Sequence, residues 1–142
     1  MSVLIEQIDR VEGCEDKHFG VVRHNGHQLE VILVGPYDRL VTLVGIDVLV
    51  EYELGKVISA DIDLPVDDRS SGIFPDQGNQ VVVDGTVHNE TVIDDAASVI
   101  DVYIQNSADF LAVTSDDLAA KPKTGTRIRI IGKDLHVYPT FP

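Results

Sequence analysis

The strongest constraint on this chain is the alternation of apolar and polar residues with a period of two. Short runs rich in Val, Ile and aromatic residues are separated by Gly, Pro, Asn and Asp, a pattern typical of β-strands and turns. The clearest run spans residues 19–34 and has Asn25-Gly26 at its centre. This dipeptide suits the central positions of a type I′ turn, where both residues need positive φ. The sequence therefore predicts a hairpin that pairs His24 with His27.

The rest of the first half continues this pattern, and the middle of the chain interrupts it. After a turn at residues 35–38 the alternation predicts further strands. Residues 1–11 fit a helix or a strand, and we favour a strand because the rest of the chain is β-rich. Residues 65–79 have no periodicity, and their Pro, Gly, Asp and Ser residues predict a loop. The further predicted strands of this half are residues 40–44, 48–54 and 56–62.

The second half contains more strands and one short helix. Ser115 can cap a helix over residues 115–120, two aspartates follow the cap, and Pro122 ends the helix. The last two strands are predicted to form a hairpin, in which Gly125 begins and Gly132 ends the first strand. The predicted strands of this half are residues 80–93, 99–105, 110–114, 126–131 and 135–138.

The order of elements in residues 80–142 is three strands, a short helix and a hairpin, which resembles an OB-fold, a five-stranded Greek-key barrel. Gly85 lies in the long first strand, where a glycine permits the sharp bend that lets one strand serve both sheets. The resemblance implies a binding face across the second and third strands. We therefore expect an all-β protein: a small Greek-key, OB-like barrel with additional N-terminal antiparallel strands and one short helix.

The length of 142 residues suits a single all-β domain over residues 1–142. Its two halves, residues 1–64 and 80–142, would be joined by the loop 65–79. The first half can complete a larger barrel, form a second small barrel or add strands outside the first one. The apolar runs are too short to span a membrane, and the N-terminus lacks the basic start of a secretory signal. The sequence thus predicts a cytoplasmic protein.

The chain is strongly acidic, with 24 Asp+Glu against 11 Lys+Arg and a net charge of −13. Residues 1–120 carry 23 acidic and 6 basic side chains, whereas residues 121–133, the basic strip, carry five basic and no acidic ones. A field of this sign repels nucleic acid and anionic membranes. Only the basic strip is suited to an anion. The acidity can also reflect a high-salt habitat, in which hydrated carboxylates are favoured.

The basic strip provides the candidate anion-binding residues. Arg127 and Arg129 alternate onto one strand face, where guanidinium groups can neutralise phosphate and tyrosine rings can stack on bases. The same two arginines can instead form a solvated face that is salt-bridged to nearby aspartates. The candidate binding residues are Lys123, Arg127, Arg129, Lys133, Tyr103 and Tyr138.

The sequence contains no recognisable catalytic motif, so we expect a protein that is not an enzyme and needs no cofactor. Cys14 lies beside Glu15 and Asp16, which disfavour the thiolate that a nucleophile needs. His24 and His27 come close across the predicted turn and are the candidate metal ligands. An exposed polar turn is the explanation we favour for them, and no metal is expected.

Two functions are consistent with the sequence. The first is a non-enzymatic β-barrel binding module whose acidic surface engages a basic protein partner. An inhibitor or immunity-type protein that masks a nucleic-acid-acting partner is one example. The second is an OB-type binder of single-stranded nucleic acid or a small anionic ligand through the basic strip. A homo-oligomer is also compatible with the sequence, because strands at sheet edges invite pairing.

Overall fold

The computed structural model describes residues 2–62, 72–92, 98–104, 109–114 and 122–141. Within these residues the chain forms nine β-strands in one sheet and one short helix, so the expected all-β class is confirmed. No helix in the described ranges is long and apolar enough to cross a membrane. The elements are β1 (Ser2–Asp9), β2 (Lys17–His24), β3 (His27–Val34), α1 (Tyr37–Leu40), a 3-10 turn (Val41–Leu43), β4 (Asp47–Ile62), β5 (Gly72–Pro75), β6 (Gln80–Val92), β7 (Ser98–Ile104), β8 (Asp109–Thr114) and β9 (Arg127–Pro139).

The hairpin of β2 and β3 follows the sequence prediction residue by residue. Asn25 and Gly26 have φ values of 47° and 82°, as a type I′ turn requires. His24 pairs with His27, and the antiparallel ladder continues along the full length of both strands. The predicted strand within residues 1–11 is also confirmed, since β1 pairs with β2.

The strand pairings close two rings that share β4 and β9. In the first ring, β1, β2 and β3 are antiparallel neighbours, β3 pairs parallel with β9, and β1 pairs antiparallel with β4. In the second ring, β6, β7 and β8 are antiparallel neighbours, β8 pairs parallel with β4, and β6 pairs antiparallel with β9. With 16 and 13 residues, β4 and β9 are long enough to serve both rings. Each half of the chain therefore supplies one strand to the other half's ring.

The two rings are built from corresponding segments of the chain. The first strand of each ring has a bulge at the corresponding position. In β1 it follows Ile5, the residue after the last pair with β4, and in β6 it follows Val87, the residue after the last pair with β9. The turn into each long strand is also shared: the Gly45 N–H donates to the Ile5 carbonyl at 2.8 Å, and the Gly125 N–H donates to the Val87 carbonyl at 2.7 Å. Residues 42–49 thus correspond to residues 122–129.

The strand predicted over residues 40–44 is wrong, because these residues end α1 and form the 3-10 turn. Pro36 precedes the helix with φ −63°, and its carbonyl accepts from the N–H groups of Arg39 and Leu40. Leu40 and Leu43 are buried while Val41 is exposed, so their spacing places one helical face against the core. A short run of apolar residues does not distinguish a strand from a buried helical turn.

The hairpin predicted after Gly125 is also wrong, because β9 is one continuous strand. Gly132 does not end a strand. A Cβ there would lie 2.6 Å from Leu54 Cδ2, so this glycine instead permits close approach to β4. Asp134, with φ 57°, lies where β9 changes its neighbour from β6 to β3.

Two further predictions concern residues that are only partly described. The loop predicted over residues 65–79 contains a short strand, since Gly72–Pro75 form β5 and pair with β6. Residues 63–71 and the predicted helix over residues 115–120 lie outside the described residues. The core of the described part is almost entirely aliphatic. Its buried polar or charged residues are His18, His24, Asp84 and Arg127.

Candidate functional site

A groove crosses the outer face of the β2–β3 hairpin. Phe19 pairs with Ile32 and Val21 pairs with Glu30, and all four residues line a cavity of about 280 Å³. The alternation of the strands explains this face, because the intervening residues point into the core. Phe19 remains 58% exposed despite its size. The hairpin therefore presents an apolar floor to solvent.

Carboxylates surround this floor, and we call the whole feature the acidic groove. Asp9, Glu30 and Asp134 line it, and none of its described lining residues is Lys, Arg or His. Asn79 Nδ2 donates to Asp134 Oδ1 at 3.1 Å, and Gln7 Nε2 donates to both carboxylate oxygens of Asp9 at 3.1 and 3.2 Å. Two of the three carboxylates are thus held by amide donors.

The acidic groove extends towards the turn between β5 and β6. A second hollow of about 220 Å³ shares Val21 and Glu30 with the first and is also lined by Pro75, Gly78 and Gln80. Within the described ranges, no three His, Cys, Asp or Glu side chains are close enough to hold a metal ion. The carboxylates of the acidic groove are thus spread along it. This arrangement suits an elongated cationic group better than a metal ion.

The two arginines of the basic strip share one carboxylate. Arg127 Nη2 donates to Asp84 Oδ1 at 3.0 Å, and Arg129 Nε and Nη2 donate to Asp84 Oδ2 at 3.1 and 3.0 Å. The salt bridges to an aspartate, which were the alternative to anion binding for these two arginines, are thus present. Arg127 is not solvated, however, because its side chain is only 6% exposed, against 46% for Arg129.

The strand register explains this triad. Asp84 pairs with Arg129, and the neighbouring pair on the same face is Thr86 with Arg127, so both arginines reach Asp84 from β9. One of the two guanidinium charges is neutralised by the shared carboxylate. Asp84 could not be identified as their partner from the sequence, because it lies 43 and 45 positions from the two arginines and no local pattern connects them.

Of the other candidates for anion binding, Tyr103 lies on the same sheet face as Arg127, because both residues pair with Thr86. Lys123 is exposed in the turn before β9, and Lys133 and Tyr103 are half-buried. The Tyr103 ring lies 5.8 Å from the His88 ring. Tyr138 lies near the opposite end of β9 from Arg127, about 35 Å along the strand at roughly 3.3 Å per residue. The six candidates therefore do not form one surface.

Tyr138 contacts an acid rather than a base. Its hydroxyl donates to Glu53 Oε2 at 3.4 Å. Partial burial raises the pKa of Tyr138, and the negative charge and hydrogen bond of Glu53 raise it further. This environment favours a neutral phenol, and the nearby carboxylate disfavours an anionic ligand at this tyrosine.

The two candidate metal ligands pack against different aromatic rings. The His24 ring is buried and lies edge to face with Tyr52 at 5.9 Å, whereas the exposed His27 ring lies edge to face with Phe74 at 5.4 Å. Each histidine thus fits a packing role. The expectation that no metal binds remains a prediction.

Cys14 lies near His18, but the histidine is engaged by the loop between β1 and β2. His18 Nδ1 accepts from the Val11 N–H at 3.0 Å, so Nε2 carries the proton and donates to the Glu15 carbonyl at 3.2 Å. Both ring nitrogens hold the loop. His18 is therefore not available to take a proton from the Cys14 thiol.

A comparison with protein-family models finds no matching family, and a search of curated proteins finds no matching protein. Relatives therefore assign no role to any residue. The acidic groove is the described feature that best combines concave shape, charge and exposed apolar surface.

Proposed function

We propose that the protein is a non-enzymatic binding module whose acidic surface engages a basic protein partner, with the acidic groove as the contact site. The observation that carries this proposal is the groove itself: an apolar floor bordered by Asp9, Glu30 and Asp134. A lysine or arginine side chain matches it, because the alkyl stem can pack on the floor while the charged head meets a carboxylate.

The overall charge supports the same choice of partner. A net charge of −13 attracts a basic protein over a distance and raises its association rate, especially at low salt. Two cations of β2 lie next to the groove residues, Lys17 and Arg23, and the charge of Arg23 is offset by Glu6, whose Oε1 lies 3.5 Å from Arg23 Nε. One form of this function is an inhibitor or immunity-type protein that masks a basic, nucleic-acid-acting protein.

We further propose that each ring is a small Greek-key barrel of OB type. Each ring has three consecutive antiparallel strands and is closed by a parallel and an antiparallel pairing to the long strands, which supports this description. OB-folds bind ligands across strands two and three. The acidic groove occupies the corresponding face of the first ring. The likeness expected for residues 80–142 would then extend to both rings.

The alternative function, binding of single-stranded nucleic acid or a small anion at the basic strip, has less support. Asp84 offsets one of the two arginine charges, and Arg127 is buried. Among the described residues of the strip, Lys123 and Arg129 are exposed, and they lie within a strongly acidic protein. A protein whose average electrostatic potential is neutral or negative around a site binds phosphate there only weakly.

Fluorescence anisotropy with a labelled serine/lysine peptide tests the proposed function. The test variant combines Glu30→Gln with Asp134→Asn, and asparagine tolerates the positive φ at position 134. We expect the affinity to fall about fivefold for each carboxylate removed, equivalent to about 1 kcal/mol, and to weaken further at high salt.

A variant with the same change in net charge serves as the control for this test. Glu12→Gln with Asp101→Asn removes two carboxylates that do not line the groove. Attraction by total charge alone predicts equal losses in the two variants. That result, or the absence of peptide binding at low salt, would contradict the proposal.

A further inference from the structure

The turn that leads into β4 exposes an unusual amount of apolar surface. Six large apolar side chains are exposed in the described residues, and four of them lie within residues 41–49. We call these four the apolar turn: Val41, Val44, Ile46 and Leu49, which are 45%, 40%, 52% and 63% exposed. Single exposed apolar residues are ordinary, whereas a concentration of them marks an interaction surface.

The backbone does not require these apolar side chains, because the other half of the chain builds the same turn without them. Gly45 and Gly125 have φ values of 84° and 89°, and each N–H donates to the strand that begins its ring. The positions that correspond to 44, 46 and 49 carry Thr124, Thr126 and Arg129. Polar residues therefore satisfy this turn, and its apolar version serves another purpose.

The charges near the apolar turn favour a basic partner over a second copy of the chain. Asp38, Asp47 and Glu51 are exposed in and beside this segment. Arg39 is the nearest cation in sequence, and its guanidinium carbon lies 4.2 Å from the centre of the Phe141 ring. A symmetric dimer would bring like carboxylates together in a chain of net charge −13, which opposes association.

We propose that the apolar turn is a second docking site, for a segment of another protein that combines apolar side chains with lysine or arginine. The apolar side chains of that segment contact Val44, Ile46 and Leu49, and its cations lie near Asp47 and Glu51. The turn shares no lining residue with the acidic groove. The proposal therefore stands or falls separately from the proposed function of the groove.

The test compares two labelled peptides of equal length and charge, one of leucine and lysine and one of serine and lysine. The wild-type protein should bind the leucine/lysine peptide about tenfold more tightly, because only this peptide can bury apolar surface. The test variant carries Val44→Thr and Ile46→Thr, the residues of the other turn, together with Leu49→Gln. We expect the tenfold preference to disappear in this variant while its thermal unfolding stays unchanged.

The other half of the chain offers a matched control. Thr124→Val with Thr126→Ile places apolar side chains on the same backbone turn, but next to Arg127, Arg129 and the buried Asp84 rather than beside exposed carboxylates. We expect this variant to show no greater preference for the leucine/lysine peptide than the wild type. A leucine/glutamate peptide should bind the wild type more weakly than either basic peptide.

Three results would overturn the proposal. The first is a preference for the leucine/lysine peptide that persists in the variant of residues 44, 46 and 49. The second is a control variant that prefers the leucine/lysine peptide more strongly than the wild type does. The third is a wild-type dimer in light scattering that the test variant abolishes, since the occupant would then be a second copy. The groove variant Glu30→Gln with Asp134→Asn should weaken the serine/lysine peptide, while the leucine/lysine peptide keeps its binding at the apolar turn, which distinguishes failure of one site from failure of the other.

Discussion

The two halves of the chain build the same strand pairings from different side chains. In the first half β1 and β4 pair Ser2 with Leu49, and the corresponding pair of β6 and β9 is Asp84 with Arg129. One half thus exposes a leucine where the other holds an ion pair. The buried, alternating apolar residues therefore set the strand pairing, whereas the outer positions are free to acquire different binding chemistry.

The outer faces of the two hairpins differ in the same way. The pair Val21 and Glu30 of the first ring corresponds to Asp101 and Ala112 of the second. The acidic groove therefore depends on side chains that are specific to the first ring, together with Asn79 and Asp134 from the second half of the chain. Topology alone does not create the site.

The largest expected effect concerns the ion pair that only the second half contains. Asp84→Ala removes the carboxylate that accepts from the buried Arg127, so we expect the free energy of unfolding to fall by about 3 kcal/mol. The corresponding change Ser2→Ala, at an exposed position, should cost less than about 0.5 kcal/mol. Urea unfolding of both variants measures the difference. Equal costs would mean that the triad contributes little to stability.

A smaller and equal effect is expected at the turn that both halves share. Gly45→Ala and Gly125→Ala meet no neighbouring atom, so only their positive φ opposes the new side chain. Each should destabilise the protein by about 1 kcal/mol, measured as a shift in thermal unfolding. A difference of more than about 1 kcal/mol between the two would contradict the equivalence of the two turns.

The secondary structure can be predicted from the sequence in some regions and not in others. The β2–β3 hairpin was predicted in register because Asn25-Gly26 fixes the turn and the alternation fixes the faces. Residues 40–44 and Gly132 were misinterpreted, because helical packing and close strand approach leave the same local signals as a strand and a turn.

The candidate site was harder to predict than the fold. The acidic groove joins Asp9, Glu30, Asn79 and Asp134, which lie on separate segments, and no local pattern links them. The sequence indicated the acidic surface and the basic strip through charge alone. It could not place Asp84 against two arginines, because that contact depends on the register of β6 and β9.

A still smaller effect is expected at the basic strip, which only the second half of the chain contains. Lys123→Ala with Arg129→Ala removes exposed positive charge while leaving Arg127 and Asp84 in place. We expect weak binding of a labelled single-stranded oligonucleotide at low salt and only about a twofold loss in the variant, because few phosphate contacts are made. A loss of more than about tenfold in fluorescence anisotropy would favour the alternative function.

The smallest effect is expected at Tyr138 of β9, whose hydroxyl donates to Glu53 of β4. The pKa of Tyr138 lies above its usual 10.0, through burial and then through Glu53. The associated stability is therefore fully present below pH 10.0 and is lost as the pH rises through the raised pKa. Glu53→Gln should bring the tyrosine titration, followed by ultraviolet absorbance, back towards its usual value. An unchanged titration would show that Glu53 has no influence.

The proposal that the acidic groove receives basic side chains is tested most directly by mapping backbone amide NMR shifts during a titration with the serine/lysine peptide. This peptide lacks apolar side chains and so does not report on the apolar turn. We expect the largest shifts at residues 19–21 and 30–32 and at Asn79 and Asp134, and we expect these shifts to diminish at high salt. Shifts spread evenly over the acidic surface, or centred away from β2 and β3, would contradict it.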